Sequence, residues 1–240
     1  MNVVISQSMY FPWVGFLEQI RLANAFVQYD DVQFSRGSFT NRVQFKTSAG
    51  PRWLTVPLRG VQLGQRIDEV LLDNRSDWRG QHLAQLSEAY RNSPFFTDMI
   101  ALVDSVFSQP ATTLSELSHS STMALAKYFD LIAHQHQYKS TEFGITGGGS
   151  QRVLDIVSRL GGNTYITGHG ARNYLNHRTF EQVGIEVRYM NYLRLPYPQQ
   201  HGQFTPYVSA LDLVANCGQV GISYIRSTTI NWKEFHHEST

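Results

Sequence analysis

The pattern of apolar and polar residues at the start of the chain predicts a strand, a helix and a second strand. Val3 to Ile5 is a β-branched apolar run that suits a buried strand. From Trp13 onward, apolar residues recur every three or four positions, which is typical of an amphipathic helix. Residues 27–29 then predict another strand. A strand–helix–strand unit favours parallel pairing through a right-handed crossover.

The same order of elements returns in the second half of the chain. Residues 142–145 predict a strand, residues 151–160 a helix and residues 164–167 a further strand. Residues 186–190 predict another strand, and residues 211–215 lie on a predicted helix. We therefore predict an α/β fold with a Rossmann-like, open and mainly parallel sheet.

Two segments depart from this alternation. Residues 43–58 contain two strand patterns around a Gly-Pro turn, which predicts an early β-hairpin. Residues 94–138 carry two apolar stripes at helical spacing, separated at Pro110, and predict a helical insert or lid. We predict one α/β domain over residues 1–240, with the insert inside it.

Composition narrows the class of protein. The chain has 20 lysines and arginines against 19 aspartates and glutamates, so it offers no basic surface for nucleic acid. Its single cysteine, Cys217, excludes an internal disulfide framework and fits a reducing compartment. No signal-peptide pattern or bilayer-spanning apolar run is present. We predict a soluble, cytoplasmic protein without a membrane span.

Polar loops after the predicted strands carry the first candidate site residues. In a parallel sheet, strand carboxyl ends and helix N-termini face one crevice where small anionic ligands bind. Gln7, Ser8, Tyr10 and Trp13 follow the first strand and are predicted to line this crevice. A turn followed by aromatic core residues explains the same loop equally well.

Titratable residues follow two other predicted strands. Asp30 and Asp31 come after residues 27–29, and His169 stands between Gly168 and Gly170 after residues 164–167. A carboxylate or an imidazole at such a place can accept a proton, and paired carboxylates can alternatively bind magnesium. An ordinary loop histidine is the competing interpretation of His169.

Standard cofactor motifs do not occur. Residues 146–150 read TGGGS, which is neither GxGxxG nor GxxxxGK[ST]. No histidine, cysteine or aspartate spacing typical of a metal site is found, so no metal is predicted and the cofactor is unknown. Arg42 and Lys46 lie on the polar face of the predicted hairpin, where they either reach an anionic group or form a solvated outer face.

Several stretches, in order along nearly the whole chain, resemble the WbqC-like family of bacterial proteins. The longest are QSMYFPWVGF at residues 7–16 and YITGHGARNYL at residues 165–175. Ser8 stands where the family usually has proline, and His169 stands where small residues or proline are common. The other matching stretches are YDDVQF at residues 29–34, NR at 41–42, WLTVP at 53–57 and DLVANCG at 212–218.

The resemblance implies a role in bacterial surface-polysaccharide biosynthesis, including O-antigen and lipopolysaccharide. It implies a transferase that moves an aminoacyl group such as glycine, or another acyl group, onto an amino sugar or nucleotide-sugar. The expected partners are that small-molecule sugar or nucleotide-sugar and an acyl or aminoacyl carrier. The alternative is a noncatalytic nucleotide- or nucleotide-sugar-binding protein. Residues 11–16 look like the PxHxGH loop of nucleotidylyltransferases, with Trp13 and Phe16 replacing both histidines.

Amide formation assigns roles to the candidate residues, because it needs a base for the amine proton and donors for the oxyanion. The expected base is Asp30, Asp31 or His169. The remaining candidates would bind substrate: Gln7, Ser8, Tyr10, Trp13, Asn41, Arg42, Lys46, Gly168, Gly170, Asn173 and Tyr174.

Overall fold

The computed structural model describes residues 1–237, with side chains through residue 235. Its strands are β1 (Asn2–Ser6), β2 (Ala25–Gln28), β3 (Arg42–Thr47), β4 (Gly50–Thr55), β5 (Leu58–Arg59), β6 (Leu71–Leu72), β7 (His136–Lys139), β8 (Thr164–Thr167), β9 (Glu186–Tyr192) and β10 (Ser227–Asn231). Its α-helices are α1 (Val14–Arg21), α2 (Trp78–Tyr90), α3 (Phe96–Phe107), α4 (Leu114–Tyr128), α5 (Gly149–Arg159), α6 (His177–Gln182), α7 (Ala210–Cys217) and α8 (Trp232–His237).

A central sheet organises the chain, with strand order β10-β9-β8-β1-β2-β7. The strands from β9 to β7 are parallel, and β10 is antiparallel to β9. Val4 of β1 lies opposite Phe26 on one side and Ile166 on the other. The chain builds outward from β1 toward β7 and then from β8 toward β10. The order therefore reverses between β1 and β8, and a crevice forms at such a reversal.

Neighbouring residues of a strand point to opposite faces of the sheet. The central strands are apolar on both faces, and helices cover each face. Val4 and Phe26 pack with apolar side chains from α1, α3, α4 and α7. Val3 and Val27 pack on the other face, with side chains from α5 and α6. The prediction of an α/β fold with a mainly parallel sheet is confirmed.

The early hairpin is also confirmed as an antiparallel pair separate from the central sheet. β3 and β4 pair with Val43 opposite Leu54. Val43 and Phe45 are buried, whereas their neighbours Arg42 and Gln44 are half-buried. The hairpin therefore turns one apolar face into the core, as its alternation requires.

The interval between the hairpin and the second half differs in part from the prediction. The two apolar stripes form α3 and α4, whose buried side chains join the core layer of α1. The prediction of helix through residue 138 is wrong, because residues 136–139 form β7 beside β2. The strand predicted at 142–145 is also wrong, since a 3-10 turn occupies Ser140–Phe143. Within residues 1–237, no helix is long and apolar enough to cross a bilayer.

Candidate functional site

A cavity of about 680 Å³ opens at the carboxyl ends of β1 and β8, where the strand order reverses. We call it the central cavity. The loop after β1 contributes Gln7 and Trp13, and the loop after β8 contributes Gly168, His169 and Gly170. Gly148 and Gly149 at the start of α5 complete this rim. Both halves of the chain therefore bring their strand-end loops to one space.

Aromatic rings form much of the wall of the central cavity. The indole of Trp13 lies 5.0 Å from the ring of Tyr192 and 6.1 Å from that of Tyr207, centroid to centroid. Tyr29 and Tyr174 also line the space, and Tyr174 is half exposed. Such rings provide flat apolar surfaces with polar edges, which suit a planar ring of a ligand.

The charge of the lining is one-sided. Among the described residues, Arg194 is the one lysine or arginine that lines the cavity, and no aspartate or glutamate lines it. Its guanidinium lies 5.4 Å from the centroid of the Tyr207 ring. The N-cap of α5 is Gly148, which supplies no side-chain cap, so first-turn N–H groups remain available for a ligand. This combination favours an anionic ligand.

His169 has one anchored ring nitrogen. Its Nε2 lies 2.7 Å from the carbonyl oxygen of Met190, and a carbonyl can only accept. Nε2 must therefore carry the proton, which leaves Nδ1 of the neutral ring as a proton acceptor. The rings of Tyr192 and Phe235 lie 5.2 Å and 4.8 Å away and hold the imidazole in place. Of the three predicted bases, His169 is the one that lines the central cavity.

Asp30 is part of the scaffold. Its carboxylate is buried and accepts hydrogen bonds from the backbone N–H of Ser8 at 2.8 Å, Nε2 of Gln28 at 2.7 Å and the hydroxyl of Ser115 at 2.6 Å. It therefore joins the loop after β1 to β2 and α4. Ser8 is buried with it, and neither residue lines the central cavity.

Asp31 forms a buried ion pair with Arg152 and accepts a hydrogen bond from the hydroxyl of Ser140 at 2.5 Å. Burial alone would raise the pKa of Asp31, but the hydrogen bonds from Arg152 and Ser140 outweigh it and lower the pKa. Asp31 lines a smaller neighbouring cavity of about 330 Å³ that also includes Gly147. Asp30 and Asp31 therefore have separate partners, and Asp31 faces a different cavity from the one that His169 lines.

Four other candidates lie away from the central cavity. Tyr10 is fully buried, and its hydroxyl meets Nδ1 of His82 at 2.9 Å. The Arg42 guanidinium stacks on Trp53, 4.2 Å from the ring centroid. The amide of Asn41 donates to the carbonyl of Val56 at 3.3 Å, and the exposed Asn173 is outside the lining.

Lys46 is buried and holds a loop instead of facing the cavity. Its ammonium group donates to Oε1 of Gln199 at 3.1 Å and to the carbonyls of Gly202 at 3.3 Å and Gln203 at 2.5 Å. These acceptors belong to residues 193–209, which also contain Arg194 and Tyr207. The hairpin therefore supports the loop that supplies part of the cavity wall.

Comparison with known proteins shows the family of the chain. The model of the WbqC-like protein family matches residues 7–224. The chain belongs to this family. An uncharacterized protein of Mycobacterium tuberculosis (strain ATCC 25618 / H37Rv) is 30% identical over 228 residues, which cover 94% of this chain and 97% of the relative. No solved structure matches the chain significantly.

In this WbqC-like protein, the structure brings six of the predicted site residues together around one space. They are Gln7, Trp13, Gly168, His169, Gly170 and Tyr174. Sequence reasoning missed Tyr29, Tyr192, Arg194 and Tyr207. Tyr192 and Arg194 lie within residues 191–203, whose proline- and tyrosine-rich composition was a signal, but composition alone does not place a loop over a cavity.

Glu18 is a further missed residue. It is buried on α1 and lines a small chamber that shares Trp13 and Arg194 with the central cavity. Its Oε2 accepts a hydrogen bond from the Ser227 hydroxyl. Burial raises the pKa of Glu18 to about 7, although Ser227 and the Arg226 backbone partly oppose this shift. A glutamate in an amphipathic helix pattern gives no hint of such burial.

Proposed function

We propose that the central cavity binds a nucleotide-linked amino sugar and that the protein transfers an aminoacyl or acyl group to its amine. The observation that carries this proposal is the lining of the cavity. Aromatic rings, one arginine and the N-terminus of α5 surround a space that no carboxylate of the described residues lines. Its volume of about 680 Å³ lies in the range of sites for small organic ligands.

The aromatic part of the cavity wall suits the nucleobase of such a ligand, and the cationic part suits its diphosphate. A nucleobase would stack on an open face of a ring such as Trp13 or Tyr207; these two rings lie 6.1 Å apart and contact each other, so the base would not lie between them. The diphosphate would lie against Arg194 and the first-turn N–H groups of α5. The sugar would then extend toward Gly168 and His169.

His169 supplies the base in the proposed transfer. The amine nitrogen of the sugar attacks the acyl carbonyl carbon, a C–N bond forms and the bond to the leaving group of the donor breaks. Nδ1 of His169 accepts the proton that the amine loses and returns it to the leaving group. Backbone N–H groups of the Gly168–Gly170 turn would stabilise the oxyanion. Asp30 and Asp31 take no part in this mechanism, because neither carboxylate lines the central cavity.

The biological setting of the proposal rests on the family resemblance. We propose that the transfer belongs to surface-polysaccharide biosynthesis and takes place in the cytoplasm. The buried, unpaired Cys217 fits a reducing compartment. We also interpret the central sheet as Rossmann-like, since its strand order reverses beside β1 with the cavity at that point.

A noncatalytic nucleotide-sugar-binding protein is the second candidate. Trp13 and Phe16 both line the central cavity, and neither offers the charged donors that histidines at these positions would supply. This observation favours binding over adenylyl transfer.

Calorimetry and mass spectrometry together separate the two candidates. We expect UDP-glucosamine to bind, and Arg194→Gln to weaken binding about tenfold or more, since a hydrogen bond to a charged group contributes roughly 1.5–3 kcal/mol. Arg178→Gln is the control, because Arg178 is exposed and outside the lining. With glycyl-tRNA or acetyl-coenzyme A as donor, transfer adds the mass of one acyl unit to the sugar. Binding without this product supports the noncatalytic candidate, and absence of binding contradicts both.

A further inference from the structure

A second cavity, of about 890 Å³, lies between α3 and α4 at the carboxyl ends of β2 and β7. Gln28 and Lys139, the last residues of those two strands, line it. It shares no lining residue with the central cavity. It is therefore a separate space on the same edge of the sheet, and the proposed transfer makes no use of it.

The floor of this second cavity holds a buried acceptor without a donor. Gln28 is 5% exposed, and its Nε2 donates to Oδ2 of Asp30 at 2.7 Å and to the hydroxyl oxygen of Ser115 at 2.8 Å. A carboxylate can only accept, so this orientation of the amide is fixed. Oε1 of Gln28 then has no hydrogen-bond partner among the described residues. Such an acceptor costs free energy unless a donor from outside reaches it.

Cationic side chains converge on the same space. Lys127 and Lys139 line the cavity, are exposed and form no ion pair within the described part of the chain. The positive charges of both lysines affect the pKa of His119, which also lines the cavity. Burial lowers the pKa of His119, the Asp30 carboxylate partly opposes this, and the two lysines lower it further.

The acidic residues in the lining already have donors. Asp98 accepts a hydrogen bond from the Tyr128 hydroxyl at 3.0 Å. Glu116 accepts from the backbone N–H groups of Thr112 and Thr113 at 2.8 Å and 3.1 Å, as part of the capping box of α4. The carboxylates of Asp98 and Glu116 are therefore held by hydrogen bonds within the fold. The ammonium groups of Lys127 and Lys139 remain available to bind a ligand.

We propose that the second cavity binds a small hydroxylated anion, such as a sugar phosphate or a sugar acid. Lys127 and Lys139 hold its anionic group, and one of its hydroxyls donates to Oε1 of Gln28. Leu102 and Met123 offer an apolar surface for its C–H face. The proposal is independent of the transfer proposed for the central cavity.

Calorimetry with matched ligands tests the proposal. Glucose 6-phosphate and gluconate carry hydroxyls with a phosphate or a carboxylate, whereas glucose and inorganic phosphate each carry only one of the two features. We expect at least one of the first two ligands to bind more tightly than both of the last two. Which of the two binds better decides between a phosphate and a carboxylate as the anionic group. Equal binding of inorganic phosphate would contradict the role of Gln28.

Lysine variants locate the site. We expect Lys127→Gln and Lys139→Gln each to weaken binding of the better ligand about tenfold, in line with a charge-assisted hydrogen bond. Lys233→Gln is the control, because Lys233 pairs with Glu181 on the other side of the sheet and should leave binding unchanged. If both cavity variants bind the ligand as tightly as the wild type and Lys233→Gln do, the proposal is overturned.

The histidine NMR signals provide a readout that does not depend on affinity. Bound anion should shift the ring signals of His119 and leave those of His169 in place. A shift at His169 without one at His119 would put the anion in the central cavity and overturn the proposal.

Discussion

The loops after β2 and β8 leave the same edge of the sheet, yet they hold their titratable groups in opposite ways. After β2, Asp30 and Asp31 are both enclosed by donors from distant parts of the chain. After β8, His169 is fixed through one nitrogen and lines the cavity. A titratable residue at a strand end is therefore available for the proposed chemistry only if the fold places it in the lining of the central cavity.

This difference can be tested by the free energy of unfolding. A residue held as part of the scaffold should change stability strongly when replaced, and a residue of the cavity should change it little. The following predictions run from the largest expected change in unfolding free energy to the smallest.

Asp31→Ala should have the largest effect. It leaves Arg152 buried without its partner, and breaking a buried ion pair typically costs about 3–5 kcal/mol. Chemical denaturation measures this loss. Asp155→Ala is the control, because within residues 1–237 the Asp155 carboxylate accepts one hydrogen bond, from Gln151 at an exposed site. The folded-state pKa of Asp31 is lowered, so the wild type should lose this stabilisation as the pH falls through that pKa. A loss no larger than that of the control would contradict a scaffold role.

Glu18→Gln should change the pH dependence of stability. The pKa of Glu18 is about 7 in the folded protein and 4.5 in the unfolded chain. Between these values only the folded state holds the proton, so wild-type stability falls as the pH rises toward 7. The shift corresponds to a loss on the order of 3 kcal/mol at pH 8, which the neutral glutamine avoids. Chemical denaturation should give the wild type and Glu18→Gln similar free energies of unfolding at pH 5 and different ones at pH 8. The same difference at both pH values would contradict this prediction.

Gly15→Ala should disturb the cavity through Trp13. A Cβ at this position would lie 2.2 Å from Cη2 of the Trp13 indole, so the ring must move. Overpacking of this kind costs about 1–3 kcal/mol and should also weaken binding of UDP-glucosamine. Adding Trp13→Phe replaces the indole with a smaller ring that lacks Cη2, and the double variant should regain stability. If Gly15→Ala alone binds and unfolds as the wild type does, the close contact is not important.

His169→Gln should change stability least. The glutamine amide can still donate to the carbonyl of Met190, so we expect a change below about 1 kcal/mol. Transfer should nevertheless fall about 10²- to 10⁴-fold, because the amide has no basic nitrogen. A rate assay beside the denaturation curve checks both parts. Normal turnover would remove His169 as the base, and a large loss of stability would place it in the scaffold.

Much of the fold followed from the sequence because its core strands are apolar. β1, β2, β8 and β9 are short runs of β-branched and aromatic residues, and all of them were predicted within a few positions. β7 was missed because its sequence, HQYK, belongs to a polar edge strand whose place depends on pairing with β2. The strand at residues 227–231 was also missed, because β10 forms through its antiparallel pairing with β9, which the local sequence does not show.

The candidate site was only partly predictable, because the partners of its residues are remote in sequence. Asp30 meets Ser115 from 85 positions away, and Asp31 meets Arg152 from 121 positions away. No local pattern shows such neighbours. Arg194 and Tyr207 reach the cavity on a loop that Lys46 supports from the hairpin, which is again a long-range contact. Gly168, His169 and Gly170 were found because they directly follow β8 in the sequence.

Hydrogen–deuterium exchange in the presence of UDP-glucosamine tests the central claim most directly. The ligand should slow exchange in peptides that cover residues 168–174 and 192–194, which supply His169, Tyr174, Tyr192 and Arg194 to the central cavity. Peptides from α3 and α4, around the second cavity, should exchange at an unchanged rate. Protection confined to α3 and α4, or no protection anywhere, would contradict a ligand site at the reversal between β1 and β8.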